Sequence, residues 1–183
     1  IPRAWPGVDP RGDIQVLAAM QRGDAGVRAL NERLREALNA GPRNKAGFRV
    51  GDRVMHLANH PDDDVYNGDL GLVERAEPEG AVVIDFAGKS LRLQRRSLGR
   101  ITLTSALTMH KAQGTQYPCV VIPLVRAHSY MLDRRLLYTA MTRAQAHVVF
   151  VGQRRRMQPL LKRIGVRERV TTLRQRLENE PSA

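Results

Sequence analysis

The sequence predicts an α/β chain whose parallel sheet is interrupted by a small antiparallel β insertion, and three patterns carry that prediction. A short apolar run, Ile14–Ala18, is followed by a break and then by an amphipathic helical repeat, which is half of a strand–helix–strand unit. Between residues 47 and 100 the hydrophobic period falls to two, the mark of half-buried antiparallel strands. After residue 100, two continuous apolar runs, Cys119–Ile122 and Val148–Val151, read as strands covered on both faces.

Residues 1–12 hold Pro2, Pro6, Gly7, Pro10 and Gly12 and read as an extended connector that Trp5 could pin. Ile14–Ala18 is the first strand, and Gln21-Arg22-Gly23-Asp24 breaks it, with Asp24 placed to cap the next helix. Val27, Leu30, Leu34, Ala37 and Leu38 recur at three- and four-residue intervals and predict that helix, stopped by Gly41-Pro42. In the insertion, Val82, Ile84 and Phe86, then Leu91 and Leu93, alternate with polar neighbours, and Ala87-Gly88-Lys89-Ser90 lies between them as a hairpin turn. Asn67-Gly68-Asp69 is a second turn signal. Ile101, Leu103, Ser105 and Leu107 alternate with Thr102 and Thr104 and mark the return of the α/β part. Leu132, Leu136, Leu137, Ala140 and Met141 predict a helix between the two late strands. From Arg154 to Arg176 nine basic residues accompany one acid, Glu168, with Met157, Leu160, Leu161, Ile164, Val170, Leu173 and Leu177 at helical spacing, which predicts one or two helices with a basic outer face. The expected divisions are therefore 1–46, 47–100 and 101–183.

The 183 residues carry 30 Lys and Arg against 18 Asp and Glu, a net charge of +12 whose simplest partner is a polyanion. Residues 47–100 carry 8 basic and 9 acidic side chains, so the excess positive charge lies outside the insertion. A single cysteine, Cys119, excludes an internal disulfide and a multi-cysteine zinc site, which points to a reducing, cytoplasmic setting. No apolar run is long enough to span a bilayer, so no membrane role is expected. The chain opens on Ile1-Pro2 rather than methionine, and the expectation is a piece of a longer polypeptide.

Three motifs carry chemistry. Gly88-Lys89-Ser90 imitates the end of a phosphate-binding loop, but the required glycine five residues earlier is Val83 and a strand, not a helix, comes next; a hairpin turn is the reading. Thr108-Met109-His110-Lys111-Ala112-Gln113-Gly114-Thr115-Gln116 comes after an apolar strand and presents hydroxyl, imidazole and ammonium groups on an expected short turn of helix at a sheet edge. On composition alone it is equally an ordinary polar loop. In Tyr138-Thr139-Ala140-Met141-Thr142-Arg143-Ala144, Arg143 falls ~20° from Leu136 on a helical wheel, at the border of the apolar stripe. Such a cation either complements the helix C-terminus or meets a phosphate with its planar fork.

Taken in order, Gln21-Arg22-Gly23, Tyr66-Asn67-Gly68-Asp69-Leu70-Gly71, the Thr108–Gly114 stretch, Tyr138–Ala144 and Val149-Phe150-Val151-Gly152 closely resemble the C-terminal motor half of RecD-like helicases of superfamily 1B, as far as about Gly152. The resemblance implies a RecA-like domain, 2A, interrupted by an SH3-like domain, 2B, and the second motor domain of an ATP-dependent 5′–3′ DNA helicase. It implies catalytic roles at the nucleotide phosphates for Arg22 (motif IV) and Arg143 (motif VI), and nucleotide contacts by Gly114, Thr115 and Gln116. It also implies contacts to single-stranded DNA by Thr108, His110, Lys111, Asn67 and Thr139. ATP with Mg2+ is the implied cofactor, with the metal ligands on an N-terminal RecA-like domain of the same polypeptide, and no metal site is expected in this chain. Gln116 departs from the family's usual glutamate, although an amide can still bond a ribose hydroxyl. His60-Pro61-Asp62-Asp63-Asp64 is more acidic than a DNA surface favours. The competing class is a non-catalytic nucleic-acid or protein binding module derived from such a half, and an upstream phosphate-binding loop discriminates the two.

Overall fold

The computed structural model describes residues 7–128 and 131–162. Two sheets share the chain. The first is parallel and contains β1 (Ile14–Ala18), β7 (Ala106–Thr108), β8 (Tyr117–Leu124) and β9 (Ala144–Gly152), in the order β7-β1-β8-β9. The second is antiparallel, with β2 (Arg53–His56), β3 (Leu70–Ala76), β4 (Val82–Phe86), β5 (Lys89–Leu93) and β6 (Ile101–Leu103), in the order β5-β4-β3-β2-β6. Helix α1 (Val27–Leu38) comes after β1, α2 (Arg134–Met141) joins β8 to β9, and α3 (Met157–Lys162) ends the described chain. Trp5 and the expected helical stretch beyond Lys162, including Ile164, Val170, Leu173 and Leu177, lie outside the described residues.

In the parallel sheet β1, β7 and β8 are buried on both faces, whereas β9 is an edge strand whose Val148–Val151 run is only half-buried, with Val151 53% exposed, against the expectation of cover on both faces. On one side Leu17, Leu107, Val120 and Ile122 pack with Leu132, Leu137 and Ala140 from the α2 segment. On the other, Val16, Ala106, Cys119 and Val121 meet Leu30 and Leu34 of α1. Leu17, Leu107 and Ile122 are essentially free of solvent, each stabilising the fold by ~1.5–3 kcal/mol through burial. The antiparallel sheet has its own core of Val54, Val73, Val82, Ile84, Phe86, Leu91 and Leu93, as the period-2 pattern predicts. Phe86 pairs with Lys89 across a two-residue turn in which Ala87 and Gly88 both take positive φ, 54° and 91°. That geometry is a hairpin turn, and the Gly-Lys-Ser imitation of a phosphate loop is accounted for.

Four further local expectations are corrected. The alternation from Ile101 to Leu107 is not one strand: Ile101–Leu103 pairs with β2 in the antiparallel sheet, while Ala106–Thr108 pairs with β1 in the parallel one. Both halves are half-buried extended chain with the same period, so the pattern does not register a change of partner. Asp24 does not cap α1; the cap is Gly26, with no side-chain hydrogen bond. A Cβ at Gly26 would stand 2.3 Å from the Arg22 carbonyl oxygen, so backbone approach selects glycine there. The Thr108 segment forms successive hydrogen-bonded turns rather than a turn of helix. Finally, α2 ends at Met141 with Thr142 as its cap, so Arg143 sits in the turn beyond the helix, and Asp133 caps its start by accepting from the Leu136 N–H at 2.7 Å.

A polar clasp joins the two sheets. Arg35, only 7% exposed, donates to the Gly47 carbonyl at 2.9 Å, to Glu32 and, at 3.5 Å, to Asp52. Asp52 also accepts from Asn39 and from the Arg49 N–H, both at 2.9 Å. Arg49 grips Glu36 with two bonds of 2.9 Å, and buried Asn31 bridges the Leu103 and Ala106 carbonyls at 3.0 Å each. Helix α1 is thus apolar toward the parallel sheet at Leu30 and Leu34, while Asn31 bonds both β6 and β7 and Arg35 reaches the insertion.

Candidate functional site

The parallel sheet sorts the motif residues into two places. Ala18 pairs with Thr108 at the carboxyl edge, and Tyr117 pairs with Ala144 at the amino edge of β8 and β9. Because Val16 lies opposite Val121, the β8 residue level with Ala18 is Pro123, six residues from Tyr117, or about 20 Å at ~3.3 Å per residue. The segment from Thr108 to Gln116 runs from one edge to the other. Met109 and Ala112 bury their side chains in the core beneath it, which fastens its middle while His110, Lys111, Gln113 and Gln116 stay exposed. The Lys111 N–H donates to Thr108 Oγ1 at 3.3 Å, and Ala112 N–H to the Thr108 carbonyl at 3.2 Å. Gly114 holds φ +88°, a left-handed turn that favours glycine and reverses the chain toward β8.

At the amino edge the structure brings Arg143, Thr139 and Thr115 together, with Gln116 adjacent to Thr115. The Arg143 Nε donates to the Thr139 carbonyl at 3.3 Å, one terminal nitrogen to the Thr115 carbonyl at 3.4 Å and the other to Thr142 Oγ1 at 3.4 Å. All three acceptors are neutral and all three bonds are long. Among the described residues no carboxylate pairs with this half-buried guanidinium. A delocalised cation held in this way is oriented yet uncompensated, and an anionic oxygen, such as one of a phosphate, fits it better than any group now touching it. Thr139 does not offer a free hydroxyl: its Oγ1 donates to the Arg135 carbonyl at 3.0 Å.

At the carboxyl edge stand Arg22, Thr108, His110 and Lys111. Arg22 lies four residues beyond Ala18 in the exposed turn that Gly23, at φ +91°, closes. The side chains of Arg22, His110 and Lys111 are exposed and make no hydrogen bond or ion pair among the described residues. Arg22 and Arg143 therefore sit at opposite edges of the sheet and do not converge on one point. Asn67 is elsewhere again, in the exposed turn before β3, where its N–H donates to Asn59 Oδ1 at 3.0 Å and Gly68 takes φ +103°. Sequence reasoning did not single out Tyr117, whose buried hydroxyl lies 3.0 Å from Thr115 Oγ1, or the clasp residues Arg35 and Asp52.

The comparisons with known proteins divide along the two sheets. Residues 30–86 match the ATP-dependent RecD-like DNA helicase SH3 domain, and residues 103–151 match the UvrD-like helicase C-terminal domain. The chain belongs to the RecD-like helicases. It is 37% identical over 149 residues to the ATP-dependent RecD2 DNA helicase of Deinococcus radiodurans, covering 77% of this chain and 20% of that protein. It is 36% identical over 169 residues to the RecBCD enzyme subunit RecD of Mycolicibacterium smegmatis, covering 89% of this chain and 29% of that protein. This RecD-like chain thus spans less than a third of the length of the curated relatives it matches. Among solved structures, Pif1 helicase from Bacteroides in complex with ADP-AlF3 and ssDNA superposes with a TM-score of 0.57 at 20% identity, over 75% of this chain and 40% of that one. Pif1 helicase from Candida albicans gives 0.52 at 16% identity, over 84% and 50%. These likenesses place the parallel sheet among RecA-like helicase domains and the antiparallel sheet with the SH3-like fold. Among the described residues no helix is long and apolar enough to cross a membrane.

Proposed function

We propose that this chain is the second motor domain, 2A carrying a 2B insertion, of an ATP-dependent 5′–3′ DNA helicase that works on single-stranded DNA in the cytoplasm. The observation that carries the reading is the Arg143 guanidinium, which pairs with no carboxylate among the described residues and is held on neutral oxygens beside the Thr115–Gln116 segment. ATP with Mg2+ supplies the hydrolysable phosphoanhydride, with the metal ligands on an N-terminal RecA-like domain of the same polypeptide. In this chain Arg143 faces the phosphate charge, the Gln116 amide bonds the ribose, and Gly114 gives the turn that presents Thr115 and Gln116. Preorganised positive charge of this kind stabilises charge that develops in a transition state without reorganising.

Thr108, His110 and Lys111 contact the DNA backbone from the carboxyl edge. One segment joins them to Thr115, with Met109 and Ala112 as the buried pivot between its two ends. Arg22 stands with the DNA-side group rather than with Arg143, and we assign it to phosphates of the strand rather than to the nucleotide. Of the remaining contacts, Asn67 from 2B is peripheral to both groups, while Thr139 stands in the Arg143 group through its carbonyl. The pairing of β6 with β2 supports bounding 2B at residues 47 and 103, with 2A formed by the parts before and after it.

The test is steady-state ATP turnover of the complete polypeptide with and without single-stranded DNA. Arg143→Ala lowers DNA-stimulated turnover by ~10³-fold or more, the scale of arginine fingers, and Arg143→Lys recovers little because an ammonium lacks the planar fork. DNA affinity without nucleotide and melting temperature stay near those of the parent. Near-normal turnover in Arg143→Ala overturns the assignment.

A further inference from the structure

We infer that Tyr117 and Thr115 are positioning residues for Arg143, forming a closed loop of contacts that sets where its guanidinium lies before any ligand arrives. The inference rests on the role proposed for Arg143. The Tyr117 N–H donates to the Arg143 carbonyl at 2.8 Å, which fixes the backbone that carries the side chain. The hydroxyls of Tyr117 and Thr115 are 3.0 Å apart, and Thr115 Oγ1 also donates to the Ala112 carbonyl at 3.0 Å. Thr115 has one hydroxyl proton, so the arrangement that satisfies every group has Tyr117 donating to Thr115. The Thr115 carbonyl then accepts from Arg143, and the circuit from Arg143 through Tyr117 and Thr115 back to Arg143 is complete.

Each member has an independent reason to be rigid. Tyr117 is 5% exposed and its ring is part of the core that also contains Leu137 and Ala140 of α2 and Met55 of the insertion. Thr115 is tied at its N–H and its hydroxyl to the Ala112 carbonyl, and Ala112 is fully buried. The long arginine side chain is held by the Thr115 carbonyl within the circuit and by the Thr139 carbonyl and Thr142 Oγ1 outside it. Its bonds of 3.3–3.4 Å are weak enough to be released to an anion, while the circuit limits the volume it searches. Tyr117 therefore does more than fill space: its hydroxyl connects the core to the arginine's acceptor.

The experiment uses Tyr117→Phe, which keeps the ring and removes the hydroxyl, Thr115→Val, and Thr115→Ser as the conservative rescue. The first readout needs no nucleotide: the rate at which phenylglyoxal modifies Arg143, followed by mass spectrometry of the peptide that contains it. Tyr117→Phe and Thr115→Val should raise that rate by about fivefold or more, as expected when a local restraint is lost, with Thr115→Ser close to the parent. The second readout is turnover of the complete polypeptide carrying Tyr117→Phe, where kcat should fall about three- to tenfold, the scale of one lost hydrogen bond, with KM for ATP little changed. In the Arg143→Ala background Tyr117→Phe should have no further effect on kcat, because the residue acts through the arginine. Unchanged modification rates in both variants, or an undiminished Tyr117→Phe effect in the Arg143→Ala background, overturn the inference. Normal turnover in Arg143→Ala alone instead overturns the role proposed for the arginine. Thermal melting of each variant separates these outcomes from loss of fold.

Discussion

Replacing Asp52 by alanine tests whether the polar clasp, rather than the chain connections alone, holds the two sheets together. Its side chain is 1% exposed and accepts from Asn39 at 2.9 Å, from the Arg49 N–H at 2.9 Å and from Arg35 at 3.5 Å. Removing one partner of a buried ion pair costs ~3–5 kcal/mol when the other charge is left bare. Arg35 keeps Glu32 at 2.7 Å and the Gly47 carbonyl at 2.9 Å, so its own loss is at the lower end. The orphaned Arg49 N–H and Asn39 amide each add about 1 kcal/mol. The expected loss is ~5 kcal/mol, and at 2–4 °C per kcal/mol for a chain of this size the melting temperature should fall by ~10–20 °C. Asp52→Asn keeps the shape and one acceptor and should recover part of it. The assay is thermal unfolding monitored by circular dichroism, with Glu79→Ala as the control, since that glutamate is 82% exposed and pairs only with Lys45 at the surface. Separation of the Asp52→Ala melt into two transitions would show the sheets coming apart in turn. A melting temperature within ~2 °C of the parent, indistinguishable from the control, refutes the clasp.

Two further outcomes are expected. His128 is 1% exposed, and burial pushes its imidazole below the ordinary value of 6.5 despite a hydrogen bond to the Pro123 backbone. The folded state therefore holds the neutral ring, so this contribution is present above pH 6.5 and is lost as the pH falls from there toward the lowered folded value; melting between pH 7.5 and 5 should show that decline, and His128→Gln should flatten it. Binding of a fluorescent oligodeoxynucleotide to the chain should weaken linearly in log affinity against log salt, with a slope near −0.7 per phosphate contacted, and Lys111→Ala combined with Arg22→Ala should make the slope shallower by about 1.4 if both residues touch the strand. A slope unchanged by both substitutions removes them from the DNA surface.

Much of the architecture was legible because local chemistry and tertiary environment agreed. Ile14–Ala18 and Cys119–Ile122 are largely apolar because those parallel strands are covered on both faces, and Val82, Ile84, Phe86, Leu91 and Leu93 alternate because the insertion buries one face; Val148–Val151 reads the same way but lies at the sheet edge, half-buried. The hairpin at Ala87-Gly88 and the left-handed turn at Gly68 are likewise short-range, since positive φ is a property of single residues, whereas the Thr108 segment reads as a turn of helix and forms successive turns instead. The motif residues could be named from their order along the chain, but not sorted. Arg22 and Arg143 look equivalent as isolated cations, and only strand register shows one at the carboxyl edge and the other at the amino edge.

Sequence alone therefore determined the succession of elements, the switch of period and the identity of the candidate cations, all encoded within a few residues of one another. Tertiary structure decided the partners. Ile101–Leu103 and Ala106–Thr108 share one alternation yet join different sheets, because the choice rests on hydrogen bonds to β2 and β1, roughly fifty and ninety residues away. Arg35 and Asp52 are buried because each neutralises the other across the joint, a compensation that no helical wheel contains. The setting of Arg143 against Thr115 and Tyr117 arises where two separate segments meet at the edge of β8 and β9. The sequence supplies a guanidinium, and among the described residues the fold supplies it with neutral acceptors rather than a carboxylate, the setting on which the proposed phosphate contact rests.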